Sequence, residues 1–257
     1  MTDTETSQAA TLPAPTIERL RHELRRRELT VTAKEYLTPQ MIRITLTSDD
    51  LDTFVSGAFD DHVKIFFPDE GAEKVMRDYT PRRYDTDGRS LVLDFAVHDA
   101  GPATAWAVGA AVGDRLNIGG PRGSRRITGQ ISQWVLIGDE TALPAMGRFA
   151  EEAEAGARVS MFAAVRDAAE EQAFDSAADL RMTWVHRPES QAADARALLE
   201  AVKDAPFGEG TFIWIAAEAS VTQAVRAWFI EAGHPLVWTK SAGYWVAGEP
   251  DKTVSFD

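Results

Sequence analysis

The chain of 257 residues contains no cysteine. That absence excludes disulfides, thiolate zinc sites, cysteine nucleophiles and cysteine-ligated iron–sulfur clusters, so any redox chemistry requires a bound cofactor. Positive charge is also in deficit, with 27 Lys and Arg against 40 Asp and Glu and a net charge of −13. Such a balance repels nucleic acid and anionic lipid, whose binding depends on cationic side chains neutralising phosphate. Neither is an expected partner. No apolar run approaches the roughly 18 residues of a membrane span, so membrane insertion is not expected. The opening MTDTETSQAATLPAPT lacks the basic start and apolar stretch of a secretory signal, and the expected location is the cytoplasm.

What is present is a globular composition, 44% apolar and 26% charged, at a length that usually divides into two domains. Residues 1–27 read as a partly disordered tail. From residue 28 to 131 the pattern is that of β structure: ELTVTAKEYL, QMIRITLTS, HVKIFFP, SLVLDFAV and DRLNIGGP are short alternating runs separated by turn residues, which suits an antiparallel barrel or sandwich. AGPATAWAVGA can place one short helix among them. From 132 to 257 the pattern changes. QWVLIGDETALPAMGRFAEEAEAGARVSMFAAV reads as strand, helix, strand, and the later segments repeat the alternation, so this half is predicted to be a parallel α/β domain.

Four segments carry chemistry. In RDYTPRRYD (77–85), Arg77, Tyr79 and Thr80 combine an anion-binding fork, a stacking ring and a hydroxyl, which together suit a flavin nucleotide. The same residues also suit a surface arginine and a core tyrosine between strands. In VHDAGPATAW (97–106), Gly101 and Pro102 open a helix whose backbone N–H groups can face a pyrophosphate, with Trp106 placed to cover an adenine. Taken alone, the segment is better explained by a plain turn with a helix cap, and His98 has no neighbours at metal-ligand spacing. WVLIGDETALPA (134–145) puts Gly138, Asp139, Glu140, Thr141 and Ala142 at the carboxyl edge of a parallel sheet, and the IAAEAS turn with Glu218 lies at the same edge. KSAGYWVAGE (240–249) either closes over a ring or plugs the barrel, with plugging favoured. Lys64, Arg122, Arg125 and Arg126 form a basic mouth or stand as ordinary solvated charges.

Taken in order, HVKIFFP, RDYTPRRYD, LVLDFAVHDAGPATAWA, VGDRLNIGGPRGS, GDETALPA, AEAS and GYW resemble the siderophore-interacting protein family, FAD-dependent ferric-siderophore reductases of the ferredoxin–NADP reductase superfamily. The likeness spans residues 28–248. It implies a Greek-key FAD-binding β-barrel followed by a Rossmann-like NAD(P)H-binding domain, and reduction of siderophore-held Fe(III) to Fe(II) through FAD with electrons from NAD(P)H. It implies that Arg77, Tyr79 and Thr80 hold the flavin. His98, Gly101, Pro102, Ala103, Thr104 and Trp106 would carry pyrophosphate and adenine. Gly138 to Ala142 and Glu218 would face the pyridine nucleotide, and Lys64 the anionic siderophore, with Arg122 and Arg125 of the basic mouth as further candidates to bind it. Where the family often has a basic residue after GYW, this chain has none, and Lys240 is the expected substitute. Arg166 favours the 2′-phosphate of NADPH and Asp167 the bare ribose of NADH, with the balance toward NADPH. A ferredoxin donor, a general flavin reductase and a siderophore-binding module without reductase activity are the alternatives.

Overall fold

The computed structural model describes residues 12–67, 76–97, 101–205 and 207–256. Its first half forms β1 (Thr16–Arg21), β2 (Arg26–Thr38), β3 (Met41–Thr47), β4 (Val63–Phe66), β5 (Met76–Tyr79), β6 (Arg83–Asp85), β7 (Ser90–Ala96), the helix α1 (Pro102–Gly109), β8 (Arg115–Gly119) and β9 (Gly123–Thr128). Seven of these strands make one antiparallel sheet in the order β5-β4-β8-β2-β3-β7-β6. Along β3 the strand period is plain: Ile42, Ile44 and Leu46 are fully buried while Arg43 and Thr45 face outward,.

The strand order itself forces closure. β5 and β6 stand at opposite ends of the sheet yet are joined by Thr80, Pro81 and Arg82 alone. Three residues reach at most about 14 Å, whereas six inter-strand spacings in a flat sheet come to roughly 29 Å. The sheet must therefore curl into a barrel with its seam at Thr80–Arg82. RDYTPRRYD is that seam: the end of one edge strand, a turn, and the other edge strand.

One correction concerns the N-terminal segment. Residues 16–21 are part of the predicted tail but form β1, paired antiparallel along β9. The charges that disguise TIERLR as a tail are used across the pair, where Glu18 meets Arg126 at 2.8 Å.

The second half forms β10 (Gln133–Asp139), α2 (Leu143–Glu152), β11 (Arg158–Val165), β12 (Asp179–His186), α3 (Arg196–Val202), β13 (Thr211–Glu218), α4 (Ala219–Glu231), β14 (Thr239–Trp245) and β15 (Val254–Ser255). The sheet order is β12-β11-β10-β13-β14-β15, parallel except for the last pair. Every residue of β13 is buried, as expected of a central parallel strand covered on both faces,. The GYW segment does not plug the barrel. It is the end of β14, a strand of this parallel sheet, and Gly243 is needed because a Cβ there would lie 2.8 Å from Ala219 Cα. On the α2 face, the core of this domain includes barrel residue Met41, with Leu37, Phe59 and Ala96 packed against it, so α2 is wedged between sheet and barrel. Among the described residues, no helix is long and apolar enough to cross a membrane.

Candidate functional site

The barrel contributes its seam and α1. Arg77 and Tyr79 lie opposite the buried Ile65 and Val63, so they share the inward-directed side of β5. The Tyr79 ring sits 4.4 Å from Phe95, which lies 5.6 Å from Trp106, and Trp106 lies 6.0 Å from Phe67. This row of rings links the seam to α1. Burial raises the Tyr79 phenol well above its ordinary range, with Arg77 opposing, so the hydroxyl stays protonated,. Thr80 is buried at the turn. Among the described residues, the one carboxylate paired with Arg77 is half-exposed Asp251, at 3.4 Å. Gly101, the residue before Pro102 at the start of α1, has no side chain with which to cap the helix, and a Cβ on it would meet open space. A guanidinium fork, an aromatic row and a helix start opened by glycine form a set that fits a flavin dinucleotide. Ala103 is on the buried face of α1, with Thr104 and Trp106 half-buried beside it; His98 lies outside the described residues.

The α/β domain contributes the point where its strand order reverses, between β10 and β13. Gly138 is demanded by packing, since a Cβ there would lie 2.5 Å from Ala142 Cβ and 2.8 Å from Ala216 O. Asp139 is buried, and its carboxylate accepts from the Thr141 N–H and hydroxyl, the Glu218 N–H at 2.9 Å and the Trp245 indole at 2.8 Å. Glu218 in turn caps α4, accepting from the Ser220 and Val221 N–H groups, and from Ala247 N–H on the tail. Burial alone would raise the Glu218 pKa, but these hydrogen bonds outweigh it and the net shift is downward. Sequence reasoning brings Asp139, Thr141 and Glu218 to one edge, and the structure ties them to one another.

Glu140 differs from both. It points into the cleft between the domains with Thr38, Gln40, Arg166 and Glu170 and accepts from Arg187 at 2.7 Å. Burial first, and Asp139 second, raise its pKa to about 7, with Arg187 only partly offsetting them,. Arg166 and Asp167, opposed cues in the sequence, are partners at 2.9 Å, and Arg166 also reaches Glu170 at 3.2 Å.

The basic residues separate. Lys64 pairs with Asp78 at 2.8 Å, on the other side of the β4–β5 ladder from Arg77 and Tyr79. Arg122 is exposed beyond β8. Arg125 lies on β9, opposite Arg19. Lys240 corrects an expectation: it is buried, with Nζ 2.7 Å from Asp60 and donating to the Arg125 carbonyl. Asp60 is itself nearly buried and receives the Trp214 indole, so the ammonium is an internal tie between domains and does not supply the missing charge of a mouth.

Sequence reasoning missed a second set of charges behind the seam. Arg148 on α2 is buried and donates to the Ser56 hydroxyl at 2.7 Å, the Ser56 carbonyl at 3.0 Å and the Pro81 carbonyl at 3.2 Å. Arg82 is held by Glu151, also on α2, and Arg43 forks onto Asp94 with two bonds of 2.7 Å. The available signal is Gly147–Arg148 inside the apolar stretch LPAMGRFA, a polar pair where a helix should bury every face.

The siderophore-interacting protein family matches residues 131–248, and the siderophore-interacting FAD-binding domain matches residues 30–75 and 69–125. The chain is 34% identical to an NADPH-dependent ferric-chelate reductase of Escherichia coli over 90% of its own length and 96% of that protein. It is 27% identical to the ferric vibriobactin reductase ViuB of Vibrio cholerae, covering 72% and 74% of the two chains. A siderophore utilization protein from T. fusca superposes with a TM-score of 0.84 at 35% identity, over 93% of this chain and 98% of that one.

Proposed function

Since the chain belongs to the siderophore-interacting protein family, we propose that it reduces Fe(III) held in a siderophore to Fe(II), with FAD in the barrel and NADPH as electron donor, in the cytoplasm. The observation that carries this reading is the seam: the two barrel edges meet at a turn that begins with Thr80 and follows Arg77 and Tyr79, linked by the ring row to α1, whose start is opened by Gly101. Similarity to the E. coli enzyme, named for NADPH and ferric chelates, supports donor and substrate class.

Bound FAD supplies the conversion between a two-electron donor and a one-electron acceptor. The side chains bind and orient. Arg77 would hold a phosphate of the FAD, the Tyr79 ring would support the isoalloxazine, and the Thr80 hydroxyl would bind the same ring. Gly101 to Thr104 would hold the pyrophosphate at the α1 start, and Trp106 the adenine. On the α/β side, Gly138 to Ala142 and Glu218 shape the wall of the nucleotide cleft. Glu140 and Arg187 set the charge inside it. No side chain need move a proton at the iron, and the raised Tyr79 phenol is unsuited to doing so,. Fe(II) is held less tightly than Fe(III) by hard oxygen donors, so reduction itself loosens the cargo. Of Lys64, Arg122, Arg125 and Lys240, the exposed ones left to meet an anionic siderophore are Lys64 and Arg122.

The test is an anaerobic assay with a ferric siderophore, a ferrous-specific chelator and, in parallel, NADPH, NADH or a reduced ferredoxin. Two Fe(II) trapped per NADPH consumed supports the proposal, since each iron takes one electron. Turnover with reduced ferredoxin alone would reassign the donor, and binding of the siderophore without reduction would make the protein a carrier.

A further inference from the structure

We propose that α2 positions the flavin-facing turn Thr80–Arg82 from the nucleotide domain, with Arg148 as the positioning residue; this rests on the flavin reading of Arg77, Tyr79 and Thr80. The turn is gripped at successive points. The Pro81 carbonyl accepts from Arg148, the Arg82 side chain is held by Glu151, and the Arg82 N–H donates to Val92 O at 2.9 Å. Gly147 makes room for this contact. A Cβ there would stand 2.7 Å from Phe174 Cε1, 2.9 Å from Arg82 Nη2 and 3.0 Å from Nε, so glycine lets the Arg82 guanidinium lie against the helix where a larger residue would push it and Phe174 aside. Arg148 also braces the turn from beneath through Ser56, whose hydroxyl donates to Asp61 and whose carbonyl accepts from Tyr84.

Apolar side chains would join two domains at less desolvation cost than buried guanidinium groups. What charged, forked hydrogen bonds supply is fixed geometry. Here that geometry is applied next to Thr80. The same helix starts at Leu143, directly after the nucleotide turn Gly138–Ala142, and Arg148 lies about 9 Å along it from Ala142 at the usual rise per residue. One short rod thus touches the nucleotide wall at its start and the flavin turn along its side.

The test uses the FAD-loaded protein and the variants Arg148→Met, Arg148→Lys and Glu151→Gln. Trp214→Phe is the control, because it deletes an interdomain hydrogen bond to Asp60 that does not touch the seam. Two readouts need no turnover: the visible and fluorescence spectra of bound flavin, and its midpoint potential in a reductive titration without nucleotide or siderophore. The third is the single-turnover rate of bleaching by NADPH. Arg148→Met should shift the spectra and potential and slow bleaching by about 10- to 100-fold at nearly unchanged NADPH affinity, the size expected for misplacing reactants by an ångström or less. Arg148→Lys should recover part of each, Glu151→Gln should show the same changes at smaller size, and Trp214→Phe should lower the melting temperature alone. Wild-type spectra, potential and rate in both Arg148→Met and Glu151→Gln would overturn the inference, as would equal changes in Trp214→Phe. If Arg148→Met does not fold, Arg148→Lys and Glu151→Gln decide on the same readouts. If wild-type flavin is not bleached by NADPH, the donor assignment above fails, while spectra and potential still judge the positioning role.

Discussion

The barrel and the α/β domain use similar-looking motifs in opposite ways. In the α/β domain the polar residues of GDET and AEAS are consumed internally: Asp139 ties β10, β13 and the end of β14 together, and Glu218 caps α4 and holds Ala247. In the barrel, Arg77 gives one donor to the neighbouring Met76 carbonyl and otherwise meets half-exposed Asp251 at 3.4 Å, and the residue that opens α1 is a glycine. A motif whose donors and acceptors satisfy one another builds a wall. One that keeps donors for a ligand builds a grip.

The sharpest way to break this contrast is mutation on both sides. Replacing Arg77 and Tyr79 together by Ala should weaken FAD binding by on the order of a hundredfold or more, as loss of a charge-assisted contact and a stacking ring implies, while the apoprotein melts nearly as before. FAD affinity by fluorescence titration and calorimetric melting check the two halves. A destabilised apoprotein that still bound FAD at wild-type strength would reverse the assignment. Asp139→Ala should do the opposite, costing about 3 kcal/mol of stability because buried donors lose their acceptor, as read by denaturant unfolding. Trp245→Phe removes one of those donors and should cost about 1 kcal/mol by the same measurement.

Two carboxylates at the two ends of the α2 region sharpen the comparison through pH. The pKa of Glu140 is raised to about 7, so the folded state binds its proton more tightly than the unfolded chain, and its contribution to stability falls as pH rises between about 4.5 and about 7,. Glu151 runs the other way. Burial would raise its pKa, but hydrogen bonds from Arg82 and Arg83 bring it to about 2, so its contribution is present above about 4.5 and lost as pH falls toward about 2,. Unfolding curves across this range should flatten near neutrality in Glu140→Gln and at acid pH in Glu151→Gln. A Glu140→Gln profile identical to wild type would remove the charge assigned to the cleft. The smallest effect is expected of Lys64→Ala. An exposed cation meeting an anion in water contributes at most about 1 kcal/mol, so the KM for a ferric siderophore should rise by less than about fivefold, and an unchanged KM would remove Lys64 from the siderophore contacts.

The architecture is legible in the sequence because its periods are clean. Ile42, Ile44 and Leu46 alternate inward, and the unbroken apolar run of β13 marks a strand covered on both sides. The ordered motifs also single out RDYTPRRYD and the GDET and AEAS turns as candidate site segments, which the strand order shows to be the barrel seam and the switch point. What could not be read are the partners of charged residues, which depend on segments far apart in the chain. Lys240 finds Asp60 across 180 residues, and Arg148 finds Ser56 across 92. The strand character of TIERLR was hidden for the same reason, since Glu18 is explained only by Arg126. GYW was misplaced because an aromatic pair after glycine suits a plug as well as a strand end, and only the pairing of β14 with β13 decides between them.

The most direct measurement is an anaerobic visible spectrum of the purified protein, titrated with NADPH and then with a ferric siderophore in the presence of an Fe(II) chelator. The account predicts a flavin band that bleaches with NADPH and returns as the ferrous complex appears. A protein that binds flavin but is bleached only by a protein donor, or that binds no flavin at all, would contradict it.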